Sequence, residues 1–165
     1  EFEFLGGSPP QVHTKTTRSG QLWKYREYPV DHPSGTLLAV HSSFFDKDVF
    51  AKFAAVLSRS PSLRIICVDL PGCGGSSAAQ CGLTYSFICD ELAELIVSSG
   101  WAPVHYVGLS VGCDFGLHLA ATAPKLIRSL TLMAFASACL PPPPLRTGIE
   151  GFVAAVRSEG GREFL

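Results

Sequence analysis

The sequence predicts an α/β fold, a mostly parallel β-sheet flanked by helices, and three observations predict it. From residue 36 to residue 135, apolar runs of strand length alternate with segments of helical periodicity. The apolar runs are continuous rather than alternating, as in strands covered on both faces. The turn from the third run into its helix carries G-x-S-x-G, with Gly108 and Gly112 around Ser110, a pattern that needs a strand before it and a helix after it.

The elements follow in order. "HTKTTRS" (residues 13–19), Gly20 and "QLWKYREYP" (21–29) read as two strands joined by a tight turn, with Trp23 and Tyr25 favouring strand. "DHPSG" (31–35) is a turn cluster. "TLLAVHS" (36–42) is the first buried-type strand. "DVFAKFAAVLSR" (48–59) places Val49, Phe50, Phe53, Val56 and Leu57 on one side of a helix that Asp46 or Asp48 can cap. "LRIICVDL" (63–70) is the second strand. "YSFICDELAELIVSSG" (85–100) is the clearest helix, with a stripe of Phe87, Ile88, Leu92, Leu95 and Ile96, Thr84 to cap its start and Gly100 to close its end. "PVHYVGLS" (103–110) is the third strand, "VGCDFGLHLAATAP" (111–124) a helix stopped by Pro124, and "IRSLTLMAF" (127–135) a fourth strand. Its apolar part reads as covered and paired on both sides. Pro141 to Pro144 make a stiff spacer, and residues 148–165 start one more helix.

Composition narrows the function. A chain of 165 residues is long enough for one domain with a sizeable core, and 47% hydrophobic against 16% charged residues excludes a disordered tail. A net charge of -1 without a basic run excludes sequence-independent nucleic-acid binding, which needs a positive face. The longest apolar run, near residues 130–140, is too short to cross a bilayer, so no transmembrane segment is expected. "EFEFLGG" at the start has no Met and no signal-like core. The six cysteines, at 67, 73, 81, 89, 113 and 139, show no C-x-x-C spacing. They read as small packed hydrophobes, Cys113 included, in a reduced, cytoplasmic compartment. No metal or organic cofactor is implied, and the expected partner is a small-molecule substrate.

The chemistry gathers at Ser110. A turn this sharp leaves no room for side chains two residues to either side, so glycines stand there, and the serine is raised above the C-terminal edge of the sheet. The backbone N–H of Val111, at the helix start, points where an oxyanion would form. "HSSFF" (41–45), after the first parallel strand, can lend a second N–H. Phe44, Phe45 and Leu109 are candidates for an apolar pocket wall or for core packing. "DLPGCGGSS" (69–77) is glycine-rich, but no G-K-[ST] follows, so it is not a Walker loop.

Three segments together resemble the α/β-hydrolase family: "LLAVHSSF", "VDLPGCGGSS" and "VHYVGLSVGCDFGLHLA". The likeness covers residues 21–135 in matching order and spacing. It implies that Ser110 is the nucleophile and that the amides of Val111 and Ser43 form the oxyanion hole. Three positions depart from the family pattern: Ser42 stands where glycine is usual, Leu109 where histidine is frequent in the elbow, and Cys73 where histidine is common in the small loop.

A nucleophilic serine needs a histidine oriented by a carboxylate. His13 and His32 lie in the hairpin region and its turn, His105 lies inside a strand, and His118 lies two turns down a helix. His41 matches the family's structural loop histidine. Asp69 and Asp114 fit loop and helix-start roles. After Phe135 only Glu150, Glu159 and Glu163 remain, with no histidine, whereas the family supplies its acid and histidine after later strands. Residues 1–165 therefore read as a single, incomplete α/β-hydrolase domain lacking the C-terminal strands, with 141–165 the start of a cap or lid segment. The expectation is a serine hydrolase that transfers an acyl group to water, inactive as this chain alone because its triad acid and histidine are not in it. The alternative is a non-catalytic small-molecule-binding protein, or pseudoenzyme, on the same fold. A third reading keeps the triad but runs lyase or perhydrolysis chemistry.

Overall fold

Gly20 adopts a φ of 87°, a conformation that costs glycine little, and lets the chain reverse between two antiparallel strands, β1 (Gln11–Thr16) and β2 (Leu22–Tyr28). The computed structural model describes residues 9–59, 62–79 and 84–135. Its remaining strands are β3 (Gly35–Val40), β4 (Leu63–Val68), β5 (Val104–Leu109) and β6 (Ile127–Met133). The sheet order is β1-β2-β4-β3-β5-β6. The β3–β4, β3–β5 and β5–β6 pairings are parallel, and β2 joins β4 antiparallel. The segment 141–165, Cys81 and Cys139 lie outside the described residues.

Helix α1 (Ala51–Leu57) links β3 to β4, α2 (Tyr85–Ser98) links β4 to β5, and α3 (Val111–Thr122) links β5 to β6. The strand order reverses at β3: one crossover leads to β4 on one side, the next to β5 on the other. Loops leaving the carboxyl ends of β3 and β5 therefore meet over a crevice, the place where sheets of this type bind ligands. Strand alternation divides the core between two faces. Leu37, Ala39, Ile65 and Cys67 pack with Phe50 and Ala54 on the α1 side. Leu38, Val40, Ile66 and Val68 pack with Leu92, Leu95, Ile96, Phe115 and Leu119 on the α2–α3 side. That double coverage explains why these strands are apolar throughout.

The capping residues act as their chemistry demands. Thr84 accepts the Phe87 amide at 3.2 Å, and Gly100, at φ 66°, turns the chain out of α2. The segment expected as a helix over 48–59 starts instead as a 3₁₀ turn, Lys47–Phe50, with Asp46 accepting the Asp48 amide at 2.8 Å. The Lys47 amide is bound to Asp69 Oδ1 at 2.7 Å, which fixes this turn to the loop after β4. Phe50 and Ala54 then point inward, while Val49 and Val56, expected on the apolar side, are 39% and 51% exposed. Strand β6 was expected to be covered and paired on both sides. Among the described residues it pairs with β5 alone, and Ser129, Thr131 and Met133 are exposed.

Two tertiary contacts had no sequence signal. Glu91 on α2 is buried and accepts hydrogen bonds from Thr17 Oγ1 and, at 3.4 Å, from Trp23 Nε1, fastening the hairpin to the helix. Gly116 on α3 faces Tyr106, and a Cβ there would stand 2.5 Å from the ring carbon Cε1. Tyr106 is fully buried and its hydroxyl donates to the Gly112 carbonyl at 2.8 Å, so the ring has no free direction in which to retreat. No described helix is long and apolar enough to cross a membrane.

Gly116→Ala sets a propensity gain of about 1 kcal/mol against overpacking of about 1–3 kcal/mol. The ring is held, so overpacking is expected to win. The urea midpoint falls with an unchanged slope; an unchanged or raised midpoint would show that the ring yields.

Candidate active site

Strand β5 and helix α3 cross at a single residue. Ser110 has φ 52° and ψ −115°, a region from which a side-chain-bearing residue is sterically disfavoured, at a cost of about 1–3 kcal/mol. It persists because its surroundings leave no alternative. The Ser110 amide donates to the Met133 carbonyl at 2.9 Å, and its carbonyl accepts the Cys113 amide at 2.8 Å. A Cβ on Gly108 would stand 2.5 Å from the Gly112 carbonyl oxygen, and one on Gly112 would stand 2.3 Å from the Val40 carbonyl oxygen. The glycines at 108 and 112 are thus required by backbone packed against backbone, the second of them against the end of β3.

The loop after β3 carries His41 to Asp46. His41 is fully buried. Its Nδ1–H donates to the Ser42 carbonyl at 2.7 Å, and its Nε2 accepts the Leu70 amide at 2.9 Å. The second bond requires a lone pair on Nε2 and so fixes the neutral tautomer. Burial lowers the His41 pKa below its ordinary 6.5, against the opposing pull of the Ser42 carbonyl and Asp69. Ser42, where the family favours glycine, is not among the residues with positive φ, so its Cβ fits without backbone strain. Ser43 is exposed. Among the described residues no acceptor takes the backbone N–H of Ser43 or of Val111.

Beneath this loop lies a buried ion pair. Asp69 is fully buried, and its carboxylate accepts the Lys47 amide at 2.7 Å, Lys47 Nζ at 3.0 Å and the Gly75 amide at 2.9 Å. Gly74, at φ 52°, lies against the carboxylate, and a Cβ there would fall 2.3 Å from Oδ2. Asp69 thus ties the loops after β3 and β4 together and is spent on that task. Asp114, in the first turn of α3, is held above the usual carboxylate range by burial, with the Tyr85 hydroxyl donating to it at 3.5 Å.

None of the five histidines approaches the Ser110 hydroxyl as a hydrogen-bond partner. Both nitrogens of His41 are engaged. His105 Nδ1 faces Ser129 at 2.8 Å, His13 faces Glu27 at 3.4 Å, and His32 sits in an exposed turn. Cys113 is buried with its thiol against the Gly108 and Met133 carbonyls, and burial raises its pKa, so it packs rather than reacts. Among the described residues no group of three His, Cys, Asp or Glu side chains could hold a metal.

A cavity of about 310 Å³ adjoins the elbow and is lined by Ser43 and Val111 together with Leu70, Pro71, Ile88 and Phe115. Of the three residues suggested by sequence as a pocket wall, Phe44 is 95% and Phe45 54% exposed, and Leu109 packs against the α1-side core. The apolar wall comes from the loop after β4 and from α2 and α3 instead. A larger groove, about 650 Å³, runs past Arg18, Asp90 and Glu94 on the outer side of α2 and shares no residue with the elbow.

The chain is similar in sequence and fold to known proteins. A family model described as alpha/beta hydrolase fold matches residues 35–158. A monoacylglycerol lipase, abhd6-B of Xenopus laevis, is 32% identical over 121 residues, 70% of this chain and 34% of that protein. A probable lysophospholipase, BODYGUARD 4 of Arabidopsis thaliana, is 28% identical over 138 residues, 78% of this chain and 30% of that protein. The crystal structure of a membrane phospholipase A, a bacterial virulence factor, superposes with a TM-score of 0.70 at 27% identity, covering 77% of this chain and 40% of that one. The chain spans about a third of the length of the two curated relatives.

Two outcomes follow from this geometry. Ser110→Gly removes a strained Cβ worth about 1–3 kcal/mol and adds unfolded-state freedom of about 0.5–1 kcal/mol. The variant is therefore expected to be more stable by about 1 kcal/mol, read as a higher urea midpoint with an unchanged slope. For His41, the folded-state pKa lies below the unfolded one, so the unfolded chain binds the extra proton first. Its contribution is complete above pH 6.5 and is lost as the pH falls through the depressed folded value. Urea midpoints measured from pH 7 downwards should drop more steeply for the wild type than for His41→Gln; parallel profiles would contradict this.

Proposed function

The chain belongs to the α/β-hydrolase fold family, and from that premise we propose that it is the nucleophile-bearing part of a serine hydrolase that cleaves esters of lipid acyl groups. The observation that carries the reading is the serine held at φ 52° on a glycine-flanked turn, beside two backbone amides without acceptors among the described residues. The acyl-ester chemistry is supported by the names of the relatives, a monoacylglycerol lipase and a probable lysophospholipase.

In this mechanism the Ser110 Oγ attacks the ester carbonyl carbon while a histidine takes the hydroxyl proton. The carbonyl oxygen becomes an oxyanion and accepts hydrogen bonds from the Val111 and Ser43 amides. The tetrahedral intermediate collapses, the alcohol leaves with the proton from the histidine, and Ser110 carries the acyl group. Water, deprotonated by the same histidine, then releases the acid. The positive end of α3 adds to the oxyanion stabilisation, because Val111 is its first residue. His41 and Asp69 position the Ser43 loop and take no part in proton transfer, both being spent on fixed hydrogen bonds. The base is a histidine, with its orienting carboxylate, from outside these 165 residues.

The test is labelling by a fluorophosphonate. A longer chain, carrying a carboxylate and then a histidine after further strands, should label, and Ser110→Ala should abolish the label. The 165-residue polypeptide should label slower by about a hundredfold or more, since a general base supplies about that factor. Strong Ser110-dependent labelling of the short chain would place the base within it. No labelling of either chain would favour a binding protein on the same fold.

A further inference from the structure

One peptide unit aims the Ser43 amide. The peptide joining Ser42 to Ser43 is trans and planar, so the Ser43 N–H points opposite to the Ser42 carbonyl. That carbonyl accepts His41 Nδ1–H at 2.7 Å and the Phe45 amide at 3.2 Å, and pinning it pins the direction of the amide. The Ser43 side chain is not held in this way. Ser43 is exposed and lines the cavity beside the elbow together with Val111. Among the described residues its hydroxyl has no hydrogen-bond partner.

The other polar side chains that line this cavity are engaged or weak. Thr84 Oγ1 accepts the Phe87 amide at 3.2 Å, and the Tyr85 hydroxyl donates to Asp114 at 3.5 Å. Cys73 offers a thiol, which is a weak donor. No charged side chain is among the described lining residues, so an oxyanion formed here is held by neutral donors. Leu70, Ile88 and Phe115 lower the local dielectric beside it, which strengthens each such bond.

We propose that the Ser43 hydroxyl is a third oxyanion donor, acting beside the amides of Ser43 and Val111. The inference rests on the serine-hydrolase reading, which places the ester carbonyl at these amides. Two of the three staggered wells about χ1 put Oγ gauche to its own nitrogen, about 3 Å away. The O–H and the N–H of one residue can therefore meet at one oxygen. The hydroxyl keeps its proton throughout. Its hydrogen bond strengthens as the carbonyl oxygen gains negative charge, so it favours the transition state over the bound ester.

The experiment compares the full-length wild type with Ser43→Ala and Ser43→Thr. Ser43→Ala keeps the amide and removes only an exposed hydroxyl, so its melting temperature should match that of the wild type. On p-nitrophenyl acetate its kcat should fall about tenfold to a hundredfold with KM unchanged. Trifluoroacetophenone, a ketone that adds to a nucleophilic serine to give an oxyanion, should lose affinity by the same factor as kcat/KM. Ser43→Thr keeps a hydroxyl on the same carbon and should restore most of both. Wild-type kcat in Ser43→Ala would overturn the third donor and leave the hydrolase reading intact. So would an equal loss in Ser43→Ala and Ser43→Thr, or a change confined to KM. A wild type that neither hydrolyses the ester nor binds the ketone would overturn the hydrolase reading and the donor with it.

Discussion

The carbonyl of Val40, at the end of β3, lies against the Cα of Gly112, in the first turn of α3, and no Cβ fits between them. Much of the candidate site depends on that contact. It brings the loop that begins at His41 close to the helix that begins at Val111, two chain segments about seventy residues apart, and both line one cavity. The equally close approach of Gly108 to the Gly112 carbonyl packs β5 against α3, and with the Met133 and Cys113 hydrogen bonds it holds Ser110 in a backbone conformation that serine would leave if it could. The fold stores about 1–3 kcal/mol of strain in this residue. That strain is sustained by the apolar sheet beneath it, in which β3 is buried over nearly its whole length.

A second, polar layer holds the loops that the glycines bring close. Asp69 and Lys47 are buried together, and a buried ion pair stabilises little after desolvation. Its use here is geometric. Lys47 offers both its amide and its ammonium to one carboxylate, and Gly75 a third donor, so the loops after β3 and β4 are locked in register. His41 adds one bond between the same loops, accepting the Leu70 amide, and one within its own loop to the Ser42 carbonyl, and burial favours its neutral form. Because both of its ring nitrogens are engaged, none is left to serve as a base, which is why the histidine of the loop after β3 is a strut.

The strands and the main helix were legible because burial on two faces imposes continuous apolar runs, and burial on one face imposes a helical stripe. The segment at 47–57 was only partly legible. Val49 and Val56 match a helical stripe as well as Phe50 does, and the choice of inward face was made by the Lys47–Asp69 bond, 22 residues away along the chain. The aromatic residues Phe44 and Phe45 likewise suggested a pocket wall or core packing, and both are exposed. The wall is assembled instead from Leu70, Ile88 and Phe115, on three different elements.

By itself the sequence determined the order of strands and helices, the glycine-caged turn at Ser110 and the family to which the chain belongs. These are local properties: periodicity, capping and the absence of a Cβ at fixed offsets from one serine. Only the tertiary structure decided which side of α1 faces inward, that Glu91 anchors the hairpin, that Ser42 can replace glycine without strain, and where an apolar cavity opens beside the amides. Each of these is set by groups distant in sequence meeting at a few ångströms, and a pattern read along one chain does not record which distant groups will meet.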